Sequence, residues 1–223
     1  MTLRLVIFDL DGTLVDSQYA ITSAMTAAYS EFGLETPSRN EILGIVGLSL
    51  DHAFAQLSPQ VSGAQRGQLV EAYKSAYGAA RQSQGANHSP LFDGALEALR
   101  ELHAQPETLL AIATGKSKRG TLGVLDAHDI RHLFISIQTA DDHPSKPHPS
   151  MIDICLRDAT VEQSNAVMIG DTSFDMDMAH TAGVRSIAVD WGYHPVEMLK
   201  SDCQISDFAQ LPATVDEVLG TKL

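Results

Sequence analysis

Two aspartates one residue apart, Asp9 and Asp11, end the apolar run of "VIFDLDGT" and are followed at once by Gly12. Residues two apart on an extended chain point to the same side, so both carboxylates can face one ligand, and Gly12 lets the chain turn sharply beside it. Three further apolar runs end in polar residues of complementary type: Thr114 and Gly115 in "LLAIATGK", Lys146 in "PSKPHP" after "LFISIQT", and Asp171 and Asp175 in "AVMIGDTSFD". Each has an ordinary reading by itself. Acid-Gly is turn chemistry, Thr114-Gly115 suits the start of a helix, a lysine between prolines suits a solvated loop, and acids are favoured in the first turn of a helix. Their joint order along successive apolar runs points instead to one site. Carboxylates converging there repel one another unless a hard cation such as Mg²⁺, which takes oxygen ligands, lies between them.

The elements that must position these residues alternate. Five short runs, "LRLVIFDL", "TLLAIAT", "LFISIQT", "NAVMIGD" and "SIAVDWG", have the length and Val/Ile/Leu content of strands buried on both faces. Helical periodicity separates most of them, as in 93–104 with Leu96, Leu99 and Leu102, and in 149–159 with Met151, Ile152, Cys155 and Leu156. This alternation predicts an α/β fold, a doubly wound parallel sheet of Rossmann-like type, whose ligands bind beyond the carboxyl ends of the strands. The interval 16–89 breaks the rhythm. It holds no Val/Ile-rich strand and reads as a series of helices, with Asp16 or Ser17 as an N-cap and Gly33 as a C-cap. The expected organisation is a core of 1–15 and 90–223 with an α-helical insert, 16–89, after the first strand.

Composition excludes several functions. A hydrophobic content of 44% over 223 residues is enough for a sizeable core and too apolar for a disordered chain. A formal charge of -13 argues against a sequence-independent nucleic-acid binder, whose affinity rests on Lys and Arg. An anionic substrate therefore needs a local device, a metal or a few placed lysines. Cys155 and Cys203 lie far apart with no metal-ligand spacing, and the histidines show no two-ligand helical spacing with a carboxylate, so neither a zinc site nor a disulfide framework is expected. The first apolar stretch is cut by Arg4 and ended by Asp9, too short for a signal peptide or membrane span. A cytoplasmic protein with no membrane partner is the expectation; no feature assigns an oligomeric state.

As a set, "DLDGT", "IATGK", "SKPHP" and "GDTSFD" resemble the four motifs of the haloacid dehalogenase superfamily, in its phosphoglycolate phosphatase-like branch, and the helical insert resembles that branch's cap. The resemblance covers essentially the whole chain. It implies a Mg²⁺-dependent phosphatase for a small-molecule phosphate ester. Asp9 would be the nucleophile that forms an aspartyl-phosphate, and Asp11 the general acid and then base. Asp9, the backbone carbonyl of Asp11, and Asp171 would hold the metal, with Asp175 in support. Thr114 and Lys146 would bind the transferring group, and Gly12 and Gly115 would support the turns. Relatives with dehalogenase or phosphonate chemistry lack the second acid, which Asp11 supplies here. A mutase resembling β-phosphoglucomutase remains an alternative, although Leu50 stands where its phosphate-gripping arginine is expected; a catalytically idle binding module is a second. Gly47, Leu48, Ser49 and Leu50 interrupt the helical insert and are candidates for substrate selection. Met25, Trp191 and Tyr193 read as packing residues, and His148 as structural.

Overall fold

The computed structural model describes residues 2–220. Six strands, β1 (Arg4–Phe8), β2 (Thr108–Thr114), β3 (Phe134–Thr139), β4 (Ala166–Gly170), β5 (Arg185–Val189) and β6 (Cys203–Ile205), form one sheet in the order β3-β2-β1-β4-β5-β6, with every neighbouring pair parallel. The five runs read from the sequence are β1 to β5. The sixth strand escaped notice because it is three residues long and carries Gln204 at its centre, which leaves no apolar run to see.

The side chains of β1 divide between the two faces with the period of two that a strand imposes. Val6 and Phe8 pack with helices α5 (Ala95–His103), α6 (Lys118–Ala127) and α9 (Leu211–Val218). Leu5 and Ile7 pack on the other face with α7 (Ser150–Ala159) and α8 (Ser173–Ala182). All four are fully buried, and each such side chain contributes roughly 1.5–3 kcal/mol relative to exposure. Burial of β1 on both faces explains why Asp9, the next residue, enters the interior as well.

Between β1 and α5 lie α1 (Gln18–Glu31), α2 (Arg39–Leu43), α3 (Leu50–Leu57) and α4 (Gly63–Gln84). They enclose an apolar cluster of their own, in which Phe54 stacks on Tyr29 and meets Tyr73 edge-on. Ser17 stands at the N-cap of α1 but its side chain makes no capping hydrogen bond, and Gly33 lies one residue past the C-cap, Phe32, in the left-handed region that ends the turn. The interruption expected at Gly47 to Leu50 begins earlier, at Gly44, and ends at Ser49, because Leu50 is already the first residue of α3. Gly47 takes φ +103°, a conformation that side-chain-bearing residues rarely adopt.

Candidate active site

The motif residues meet at the carboxyl edge of the sheet, where β1 lies between β2 and β4 and the order of connection reverses. Asp9 leaves β1 with its N–H still bonded to the Ile169 carbonyl of β4, 2.9 Å away, so the two strand ends stay in register. Asp171 follows β4, Thr114 is the last residue of β2, and Lys146 comes from the loop after β3. All four are buried, at 2% exposure or less.

Asp9, Asp171 and Asp175 each bring a carboxylate oxygen within 4.8 Å of the others. Lys146 Nζ lies 2.9 Å from Asp9 Oδ1 and 2.6 Å from Asp175 Oδ1. One ammonium is therefore shared by two of the three clustered carboxylates. Burial pushes the Asp9 carboxyl up to about 6; Lys146 opposes the rise and Asp175 adds to it. Burial likewise raises Asp171 well above the usual carboxylate range, with Asp175 and Asp9 contributing. Burial would lower the Lys146 ammonium, but Asp175 and Asp9 together outweigh it and hold the group above its ordinary value.

The acids differ in what already binds them. Asp175 Oδ2 accepts from the Thr172 N–H and hydroxyl, closing the capping box of α8, and Oδ1 takes Lys146. Both its ordinary role as a cap and its place in the cluster are thus realised by one side chain. Asp171 accepts from the Thr13 hydroxyl (2.8 Å) and the Tyr193 N–H (2.9 Å), one per oxygen. Asp9 has the ion contact with Lys146, yet neither of its oxygens receives an aligned hydrogen bond. Asp9 and Asp171 thus keep free lone pairs in a dry, anionic setting, which fits a hard divalent cation with oxygen ligands. The turn at Gly12, φ +90°, is tight against Asp171: a Cβ there would lie 2.3 Å from its Oδ2.

Asp11 stands outside that trio. Both its oxygens bind Lys116 Nζ, at 3.0 and 2.9 Å, and Lys116 also donates to the Tyr77 hydroxyl of α4, 2.9 Å away. Its side chain is thus committed to Lys116 and not to the carboxylate cluster. Lys116 and Tyr77 were not singled out from the sequence. Lys116 stands in the sequence only as the last residue of "IATGK", and the signal that could have found it is its place two residues after Thr114. Thr114 Oγ1 accepts from the Lys116 N–H (3.3 Å), which leaves its own hydrogen for another acceptor.

The helical insert is docked over this edge. The Gly47 carbonyl lies against Gly115 so closely that a Cβ on Gly115 would come within 2.1 Å of it. Ser49 N–H donates to Ser145 Oγ (2.9 Å), Arg81 Nη1 to the Arg119 and Gly120 carbonyls, and Gly44 O contacts His194 Nε2 (3.2 Å). Between insert and core lies a cavity of about 640 Å³ that contains Asp9, Asp11 and Thr114 in its wall. Gly47, Leu48 and Leu50 also line it, whereas the Ser49 hydroxyl turns to His52. Met25, read as packing, is buried and also lines the cavity. Tyr193 fixes Asp171 through its N–H and Ser17 through its hydroxyl (3.0 Å), more than the packing foreseen for it, while Trp191 stacks with Phe208 and bonds the Thr13 carbonyl. His148 is exposed and accepts from Ser150 N–H.

A model of the haloacid dehalogenase-like hydrolases matches residues 6–189, from β1 to the end of β5. The chain belongs to that family. It is 35% identical over 201 residues to the probable phosphatase IndB of Dickeya dadantii, covering 88% of this chain and 85% of the relative. It is 29% identical over 216 residues to a phosphoglycolate phosphatase of Pasteurella multocida, covering 93% and 96%. Among solved structures, a haloacid dehalogenase-like hydrolase from Streptococcus pneumoniae superimposes with a TM-score of 0.81 at 29% identity, over 95% of this chain and 98% of the other. A predicted phosphoglycolate phosphatase from Haemophilus somnus does so with 0.84 at 25% identity, over 96% and 98%. This haloacid dehalogenase-like hydrolase is a phosphatase. Among the described residues no helix is long and apolar enough to cross a membrane.

Proposed function

We propose that the protein is a Mg²⁺-dependent phosphatase that hydrolyses a small organic phosphate monoester through an aspartyl-phosphate on Asp9. The observation that carries this is the Asp9 carboxylate: buried, short of hydrogen bonds, in ion contact with Lys146, and open to the cavity. A carboxylate left unsatisfied in this way is a poor structural element and a good nucleophile. Asp9, Asp171 and the Asp11 carbonyl would hold Mg²⁺, which would supply positive charge offsetting the buried carboxylates and the phosphoryl oxygens.

The chain's own residues divide the remaining work. Lys146 is fixed by Asp175 and presents its ammonium beside Asp9, where the transferring group collects negative charge. The Thr114 hydroxyl has a hydrogen to donate to a phosphoryl oxygen. Asp11 delivers a proton to the leaving oxygen and afterwards takes one from the attacking water; Lys116 holds both its oxygens in the cavity wall. Residues 16–89 serve as a cap over a core of 1–15 and 90–223, and their docking excludes bulk water from the reaction. Leu50 lines the cavity with an apolar side chain, which supports transfer to water over transfer to a second phosphorylated sugar. Phosphoglycolate, named for the Pasteurella relative, belongs in any first substrate panel.

The test follows the phosphoryl group. With Mg²⁺ and a phosphate ester, the wild-type protein releases phosphate and Asp9→Asn loses at least 10⁴-fold in kcat. Asp11→Asn, given an ester with a good leaving group, accumulates a phosphoenzyme that mass spectrometry places on Asp9. A phosphoryl group on any other residue, or undiminished turnover by Asp9→Asn, refutes the proposal.

A further inference from the structure

The cavity is much larger than the phosphoryl site requires, and its chemistry is uneven. At about 640 Å³ it lies within the roughly 300–1,000 Å³ typical of pockets for drug-sized ligands. The buried part of its wall, apart from Asp9, Asp11, Thr114 and the glycines Gly47, Gly115 and Gly120, is supplied by Ile21, Met25, Ile45, Val46, Ala53, Tyr73 and Tyr77, all seven at 8% exposure or less. Apart from Asp9, Asp11 and Lys116 at the inner end, the charged residues lie toward the rim with mixed signs: Glu71 and Asp141 against Lys74, Arg81 and Arg119. Lys74 is further tied to Glu71 at 2.9 Å. Among the described residues, the cation that lines the inner end is Lys116, and its donors are engaged by Asp11 and Tyr77.

We infer that the substrate is a phosphate monoester of a bulky, predominantly apolar alcohol, whose body fills the chamber between Ile21, Met25, Val46 and Ala53 while its phosphate lies at Asp9. This rests on the proposed phosphatase reaction and adds the class of its leaving group. The reasoning is one of matching. A short carboxylate-bearing alcohol would place its charge where the neighbouring cation is already committed, and would leave apolar walls in contact with trapped water. An apolar body removes that water and satisfies the walls. The proximity of the chamber to Asp11 gives it the correct order along the reaction, because the alcohol oxygen must leave on the side of the group that protonates it. The Tyr73 hydroxyl, which has no hydrogen-bond partner among the described residues, offers one polar contact inside otherwise apolar walls.

The experiment uses primary alkyl esters, so that leaving-group basicity changes little while apolar bulk grows: ethyl, butyl, hexyl and 2-phenylethyl phosphate, with phosphoglycolate alongside. The expected result is a kcat/KM that rises about threefold per added methylene until the chamber is full, with phosphoglycolate below hexyl and 2-phenylethyl phosphate. Ala53→Phe, which fills the chamber, lowers the hexyl-to-ethyl ratio of kcat/KM at least tenfold; Met25→Ala, which enlarges it, moves the optimum to the bulkier ester. Should Ala53→Phe not fold, the wild-type series and Met25→Ala still decide the matter. Turnover of ethyl phosphate with a flat or falling series, or a preference for phosphoglycolate, overturns this inference and leaves the phosphatase reading intact. No Mg²⁺-dependent turnover of any ester removes both.

Discussion

The carboxyl edge of the sheet and the helical insert are both buried, and they are buried in opposite ways. At the edge, Asp9, Asp171, Asp175 and Lys146 place ionisable groups in the interior with a deficit of positive charge. In the insert, Tyr29, Phe54 and Tyr73 fill an apolar cluster in which polar atoms are few and mostly paired, as Tyr29 is with Ser58 at 2.6 Å. The edge carries an electrostatic cost in the folded protein that Lys146 offsets only in part, whereas the insert's cluster, the Tyr73 hydroxyl aside, is satisfied as it stands. Binding chemistry is thus concentrated where folding is least favourable.

That difference can be broken most severely at Lys146. Lys146→Met leaves Asp9 and Asp175 buried without their cation, and at pH 7 without metal it should cost about 3–5 kcal/mol of stability by chemical denaturation. A loss under 1 kcal/mol would mean that the edge carries no such deficit. The opposite sign is expected for Asp9→Asn. Because the folded-state carboxyl titrates at about 6, above the ordinary 3.8, the folded protein binds a proton that the unfolded chain gives up first. Its stabilising contribution is complete below about pH 4 and is lost as pH rises through about 6. Metal-free Asp9→Asn should therefore match the wild type near pH 4 and exceed it by about 2–3 kcal/mol at pH 7, with Mg²⁺ narrowing the gap by stabilising only the wild type. Parallel wild-type and mutant curves across this range would contradict it. The smallest change belongs to the insert. Tyr73→Phe removes a hydroxyl without a partner and should shift stability by less than about 0.5 kcal/mol at any pH, measured by the same denaturation.

The same contrast governs what could be read from the sequence. The edge was legible because its chemistry demands particular residue types immediately after apolar runs, so Asp9, Thr114, Lys146 and Asp171 could be picked out in order and the structure brings them together. Five of six strands were visible for a related reason, since burial on both faces leaves an apolar run. Lys116 and Tyr77 were not legible, because their importance comes from meeting across 39 residues of chain, and nothing local distinguishes such a lysine from a solvated one. Thr13 and Tyr193 escaped similarly: each acts on Asp171 from more than 20 positions away, and Tyr193 does so through its backbone, which no side-chain pattern reports. The break between α2 and α3 was marked by Gly47, but its start at Gly44 was not, because Gly44 keeps ordinary helical angles, φ -66° and ψ -11°.

The meeting of Gly47 with Gly115 has a consequence for how such a phosphatase can diversify. The contact is made by a carbonyl against a residue that has no side chain, so it offers nothing for substitution to adjust short of destroying it. The neighbours Val46, Leu48 and Leu50, by contrast, turn their side chains toward the cavity. Mutations can therefore redraw the inner surface residue by residue while the two halves continue to meet on the same backbone seam. Inheritance of the seam and drift of the lining are decoupled, and a lineage can exchange one alcohol for another without passing through a form that no longer shuts.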